Sequence, residues 1–242
     1  MKKATKINGD HCIQYGKKTI PYKLEFQDRS RLSISVHPNR SVTVVAPENR
    51  SLEDVHSRVQ KRSAWINKQR VFFEQFNPLP HEQKFISGET HLYLGRHYRL
   101  KVRRGSENTV KMKGKFLIIT TTNLNGSSRA KDHLTQWYRD HAANIFQARL
   151  QKCLKEVPSL RMPEPKIIVR RMTTRWGSCS TSGNVLLNLD LIKTPLFCIE
   201  YVIMHELCHL RIHNHSPAYF RLLSRCMPDW ERRKARLDTF LI

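Results

Sequence analysis

The chain has 242 residues with 43 Lys and Arg against 20 Asp and Glu, a formal net charge of +23 at pH 7. Hydrophobic residues at 39% and aromatics at 9% can build a real core, which excludes a disordered polyelectrolyte. No stretch approaches the roughly 20 apolar residues of a membrane helix, and "MKKATKINGDHC" has no apolar run behind its lysines, which argues against a secretory leader. The positive charge favours polyanionic partners without choosing among nucleic acid, anionic membrane and acidic protein. Cys12, Cys153, Cys179, Cys198, Cys208 and Cys226 form no C-x-x-C pair. They are expected to be reduced thiols in a cytoplasmic protein rather than a zinc ribbon or a disulfide scaffold.

Along the chain, Leu32–Val36 and Ser41–Ala46 alternate on either side of Pro38-Asn39, which predicts a hairpin. Leu52, Val55, Val59, Ile66 and Phe73 recur at helical spacing behind Ser51, so one helix is expected from 52 to 76, ended by Pro78 and Pro80. A second hairpin is expected over 98–112. Its alternation places Arg99, Lys101, Arg103, Lys111, Lys113 and Lys115 on one face with no aromatic among them. This 99–115 hairpin is the local surface at which nucleic acid would bind. The turn-rich "NGSSRAK" marks a boundary: residues 1–125 form a basic β-rich region with one helix, and 126–242 a mostly helical domain.

In the second part, a helix is expected from Ser128 to about Lys155, carrying Trp137 and, one turn on, His141 as a core histidine. Two short strands, "KIIVRRM" and "NVLLNLDL", flank "TTRWGSCSTSG". Thr194 and Pro195 are the expected N-cap and first residue of the next helix. That helix leads into "MHELCHLRIHNHS", residues 204–216, with four histidines and one glutamate.

His205 and His209 are four apart and share a helix face, so both imidazoles can reach one metal. Imidazole suits zinc, and a catalytic zinc keeps three protein ligands and an open position for water. Glu206 stands beside them as a general base for that water. His213 would lie ~12 Å up a continuous helix from His205, too far for one ion. A bend through Asn214 in a left-handed conformation, with Ser216 capping and Pro217 starting a new helix, would instead return His215, the first choice for third ligand with His213 the alternative. Cys208 points about 100° away from His209 and is expected to pack. "MPDWERRKARLDTF" reads as a last amphipathic helix, with Trp230 and Leu237 packing and its Arg and Lys residues solvated.

"TTRWGSCSTSGNVLLNLDLIKTP" followed by "EYVIMHELCHLRIHNHSPAYFRLLSRCMPDW" resembles the YgjP-like family of predicted metal-dependent hydrolases, itself related to SprT-like and other zincin metallopeptidases. "ISVHPNRSVTVVAP" and "FISGETHLYLGRHYRLKV" extend the likeness over most of the chain. The resemblance implies an α+β fold: a β-rich N-terminal region, then a minimal zincin-like domain of a small twisted sheet, an active-site helix and a backing helix. It implies His205, His209 and His215 as zinc ligands and Glu206 as general base. Ile212 stands where the extended zincin motif has glycine, so the bend is expected to differ in detail.

The resemblance also implies that "TTRWGSCS" supplies an edge strand over the metal, with Arg175, Trp176 and Ser178 lining the cleft and Arg175 or Asn188 meeting developing negative charge. Trp176 as a core aromatic and Gly177 as a bulge are the plainer readings. The function expected is a zinc-dependent hydrolase acting on peptide or protein. The alternatives are a metal-dependent nucleoside triphosphate pyrophosphatase, against which no glycine-rich phosphate loop is found, and a nucleic-acid-binding protein with a structural zinc. No membrane partner is expected, and the sequence does not define an oligomeric state.

Overall fold

The computed structural model describes residues 9–74, 83–122, 127–157, 164–180 and 182–240. The chain divides into two compact units, Met1–Glu82 and Gln83–Ile242, rather than near residue 125. The reason lies in the core: Leu100, Leu117 and Ile119 of the 83–122 segment pack in one cluster with Leu134, Trp137 and Phe146 of the helical part. A sheet whose inner face is covered by a later helix cannot separate from it.

In the first unit, β1 (Gly9–Tyr15) and β2 (Lys18–Gln27) form an antiparallel hairpin whose turn uses Gly16 at φ 57°. The expected 32–46 hairpin is present as β3 (Ser33–Val36) and β4 (Val42–Pro47), and β4 runs parallel to β2. Ile13, Ile20, Leu24, Val42 and Val44 face Val55, Val59 and Ile66 of two helices. The single helix expected over 52–76 is two, α1 (Leu52–Lys61) and α2 (Ser63–Glu74). They part at Arg62, whose N–H reaches Val59 only three residues back. Residues 75 and 76 lie outside the described residues. Ser51 caps α1 as expected, its side chain accepting from the Asp54 N–H at 3.2 Å.

The second unit opens with β5 (Thr90–Tyr93), β6 (Arg96–Arg104), β7 (Thr109–Lys113) and β8 (Phe116–Thr121), in the order β5-β6-β8-β7. β6 and β7, expected to pair as a hairpin, are separated by β8. β8 buries Leu117 and Ile119 and takes the interior, while β7, with Lys111, Met112 and Lys113 exposed, takes the edge. The cations still share a face: Lys101 and Lys111 both sit opposite Ile118, and Arg99 and Lys113 opposite Phe116. An aromatic does interleave with them, since the Lys101 ammonium lies 3.6 Å from the Phe116 ring centre.

The long helix α3 (Ser127–Glu156) covers the inner face of this sheet. A smaller sheet follows, ordered β10-β11-β9, from β9 (Ile167–Arg170), β10 (Gly177–Cys179) and β11 (Val185–Asn188). β9 and β11 are parallel, and β10 is an antiparallel edge strand. A 3-10 turn, Leu189–Lys193, leads to α4 (Leu196–His209), then α5 (Pro217–Cys226) and α6 (Trp230–Leu237). The N-cap position of α4 is Pro195 instead of Thr194. Thr194 has another task, its hydroxyl donating to the Leu191 carbonyl at 2.9 Å. The fold is α+β, and the expected small sheet, site helix and backing helix correspond to β9–β11, α4 and α3. No described helix is long and apolar enough to cross a membrane.

Candidate metal centre

Helix α4 is buried on nearly every side, with Ile199, Val202, Ile203 and Leu207 inside the core. That packing fixes its rotation and aims His205 and His209 outward from its last turn. After His209 the helix tightens, the Leu210 and Arg211 N–H groups bonding to the Leu207 and Cys208 carbonyls three residues back, each at 3.1 Å. The chain then reverses into α5, which starts at Pro217 with Ser216 in the N-cap position but no side-chain capping bond. Asn214 does not take the left-handed conformation expected of it. The reversal delivers His215 to the pair, and His213 is left exposed outside the cluster.

The three Nε2 atoms form a nearly equilateral triangle: 3.2 Å between His205 and His209, 3.1 Å between His209 and His215, and 3.2 Å between His205 and His215. Tetrahedral bonds of about 2.0 Å to zinc space the ligand nitrogens about 3.3 Å apart, so the donor set fits one ion of that size. Three mutually facing ring nitrogens cannot all be satisfied by one another's protons. The His209 tautomer agrees with this fit. His209 Nδ1 lies 3.1 Å from the Ile212 carbonyl and donates to it, which leaves the Nε2 lone pair free for a cation. Burial, then the neighbouring His209 and His215, pushes the His205 imidazole down to about 3, so it stays neutral and able to ligate. Among the described residues this is the one cluster of its kind.

Glu206, 5% exposed, has its carboxyl pushed up to about 7 by burial, with Arg175 pulling the other way. No described residue hydrogen-bonds to it. Gly177 of β10 lies against it so closely that a Cβ there would sit 2.7 Å from Glu206 Oε1 and 3.0 Å from Val202 Cγ1. Gly177 is therefore required for close approach, and its backbone is not in the left-handed region. The same contact brings Ser178 and the edge strand to the site. Trp176 precedes them, partly buried against the core, and Arg175 is exposed.

Asn188 is not available to reacting groups. It is fully buried, and its amide donates to the Met172 and Arg175 carbonyls at 2.8 and 3.1 Å while accepting from the N–H groups of Met172 and Asp190. It positions the loop carrying Arg175 rather than stabilising charge itself. Sequence reasoning missed Tyr219, fully buried under the cluster, its ring 4.5 Å from that of His209 and its hydroxyl donating to the His205 carbonyl at 3.1 Å. The signal was available: two residues beyond Pro217, an aromatic in the first turn of α5 faces the bend. Cys208 packs as expected, its buried thiol pushed up to about 12. His141, expected in the core, is half-buried at its margin, its Nδ1 2.8 Å from the Trp137 carbonyl and its ring against Trp137. Arg233, expected to be solvated, instead bonds Glu200 at 2.9 Å.

Two imidazoles from one helix, a third returned by a bend, and a buried carboxylate that lies between the first two in sequence make an H-E-x-x-H arrangement whose three nitrogens could hold one metal ion. Residues 30–240 match the YgjP-like, metallopeptidase domain, and the chain belongs to the YgjP-like family. Among solved structures it is similar to the crystal structure of the metallopeptidase zymogen abylysin of Pyrococcus abyssi. The identity is 18% and the TM-score 0.36, over 39% of this chain and 92% of that one. It is also similar to the zymogen jannalysin of Methanocaldococcus jannaschii, at 19% identity and a TM-score of 0.34, over 39% of this chain and 94% of that one. No curated protein sequence matches the chain.

Proposed function

We propose that the chain is a zinc-dependent metallopeptidase with His205, His209 and His215 as metal ligands and Glu206 as general base. The observation that carries this reading is the contact between Gly177 and Glu206, which lays an edge strand against a carboxylate that no described residue hydrogen-bonds, beside three convergent imidazoles. Zinc, when bound, supplies a Lewis acid that acidifies water and polarises a carbonyl. The rest is the chain's own work. β10 pairs with β11 on one side only, and its outer backbone edge can hold an extended peptide by main-chain hydrogen bonds. Glu206 accepts the proton of the attacking water and passes it to the leaving amine. Arg175 is the cation available to offset charge that builds on the carbonyl oxygen. Trp176 and Ser178 line the strand that receives the substrate, and the Tyr219 ring holds the imidazoles in their mutual orientation.

The test is a peptide library incubated with zinc-loaded protein, with products read by mass spectrometry. Glu206→Gln lowers cleavage by about 10²–10⁴-fold with zinc content unchanged. Full cleavage by that variant, or phosphate release from nucleoside triphosphates with no peptide cleaved, overturns the reading.

A further inference from the structure

The first unit contains a cleft of about 640 Å³ that has no part in the metal centre. One wall is the segment between β2 and β3, which contributes Arg31, and the other is the outer face of α1 and α2. Arg58 and Lys61 of α1, Arg62 at the break and Trp65 of α2 line that wall, while Val55, Val59 and Ile66 occupy the buried face. Arg50 completes the rim, so five cations surround one cavity.

Only part of that charge is answered. Asp54 accepts from Arg50 at 2.9 Å and from Arg58 at 3.0 Å. The side chains of Arg31, Lys61 and Arg62 pair with no carboxylate among the described residues. Leu32 and Ile34 add an apolar surface. Trp65 is 41% exposed, unusual for a tryptophan that could have packed inward. A cavity with unpaired cations around an open indole presents the two features that a nucleotide unit matches: phosphate for the charges and a flat base for the ring.

We propose that this cleft binds single-stranded nucleic acid, with a base stacked on Trp65 and the backbone phosphates held by Arg31, Lys61 and Arg62. The other polyanions fit less well. A duplex keeps its base faces inside the stack, an acidic peptide offers a π face only where an aromatic side chain interrupts its charges, and a flat lipid surface cannot enter a recess. The volume lies within the roughly 300–1,000 Å³ of ordinary ligand sites, enough to seat a base with its sugar and phosphate. The site differs from the 99–115 face of the second unit, where Arg99 and Arg103 are engaged with the Gly88 carbonyl and the Thr120 hydroxyl and Lys101 covers Phe116. It does not depend on the metal-centre reading.

The experiment is fluorescence anisotropy of the full chain with a labelled oligodeoxythymidine of about 15 nucleotides, over a range of salt concentrations. Trp65→Ala weakens binding by about tenfold, while Trp65→Phe, which keeps an aromatic plane, stays within about threefold. Arg31→Ala with Arg62→Ala reduces the slope of log affinity against log salt by about 1.4, two phosphate contacts on a single strand. Lys111→Ala with Lys113→Ala removes the same charge elsewhere and changes affinity less than about twofold. Equal losses in the two double variants reduce the effect to net charge and overturn the proposal. So does binding of a duplex or of phosphatidylserine vesicles with the same sensitivity to Trp65→Ala. Displacement of the oligonucleotide by thymidine triphosphate at equal nucleotide concentration makes the cleft a free-nucleotide pocket and overturns the assignment to a strand.

Discussion

The two ends of α4 each bury a glutamate, and they treat it in opposite ways. Glu200 and Glu206 are both 5% exposed. Around Glu200 stand Lys152 at 2.8 Å and Arg149 at 3.2 Å from α3, and Arg233 at 2.9 Å from α6. Burial alone would raise its carboxyl, but hydrogen bonds from Lys152, Arg233 and Arg149 outweigh that and hold it below the usual range. No described residue hydrogen-bonds to the Glu206 carboxyl, and burial, against the pull of Arg175, pushes it up to about 7. The same residue type on the same helix thus serves two ends. Glu200 ties three helices together; Glu206 is a carboxylate that folding alone gives no reason to keep, since a buried charge without a partner is costly. On the proposed mechanism the cost is kept because Glu206 handles a proton.

Substitutions sharpen the contrast, the largest effect first. On the proposed mechanism, Glu206→Gln removes the proton acceptor and abolishes most peptide cleavage, whereas Glu200→Gln, whose carboxylate is held by Lys152, Arg149 and Arg233, leaves kcat within about threefold. A Glu200→Gln enzyme as inactive as Glu206→Gln breaks the distinction. Next comes Gly177→Ala, whose added methyl would meet Glu206 Oε1 at 2.7 Å and Glu206 Cγ at 3.0 Å. Strand or carboxylate must move, and displacements of this kind cost about 10–100-fold in kcat/KM with zinc retained. Unchanged kcat/KM in that variant means the edge strand does not align substrate.

The convergence of the three histidines was legible because its logic is local. His205, Glu206 and His209 sit within five residues, and the helical period alone gathers them. His215 followed from the length of a helix, since His213 on a continuous α4 would be too far away. What escaped depends on partners distant in sequence. Asn188 reads as a polar residue near a cleft, yet its amide is consumed by backbone that the 172–175 loop brings round. Arg233 reads as one of four solvated cations on α6 and is half-buried because Glu200 lies opposite. The β6–β7 pairing failed for the same reason: alternation defines faces, not neighbours, and a third strand with a stronger apolar pattern took the middle. The β1–β2 hairpin, with Gly16 at its turn, was passed over beneath the lysine-rich N-terminal composition. Domain division at 125 followed composition, while the core followed contact.

The smallest and most discriminating effect is in the pH dependence of stability, measured by urea unfolding with metal removed by a chelator. Glu200 has a folded pKa below its unfolded value, so its stabilisation is present above about pH 4.5 and is lost as pH falls through the folded value. At pH 7 Glu200→Gln is therefore less stable than wild type by about 1–3 kcal/mol, and the gap closes in acid. Glu206 has the opposite sign. Its folded pKa of about 7 lies above the unfolded value, so the ionised carboxylate burdens the folded state at higher pH. Glu206→Gln should match wild type below about pH 4.5 and be the more stable of the two above about pH 7. Histidine titration is common to all three proteins and cancels in the differences. Parallel profiles for the two variants would mean that burial, and not the presence or absence of Lys152, Arg149 and Arg233, sets the energetics of a glutamate on α4.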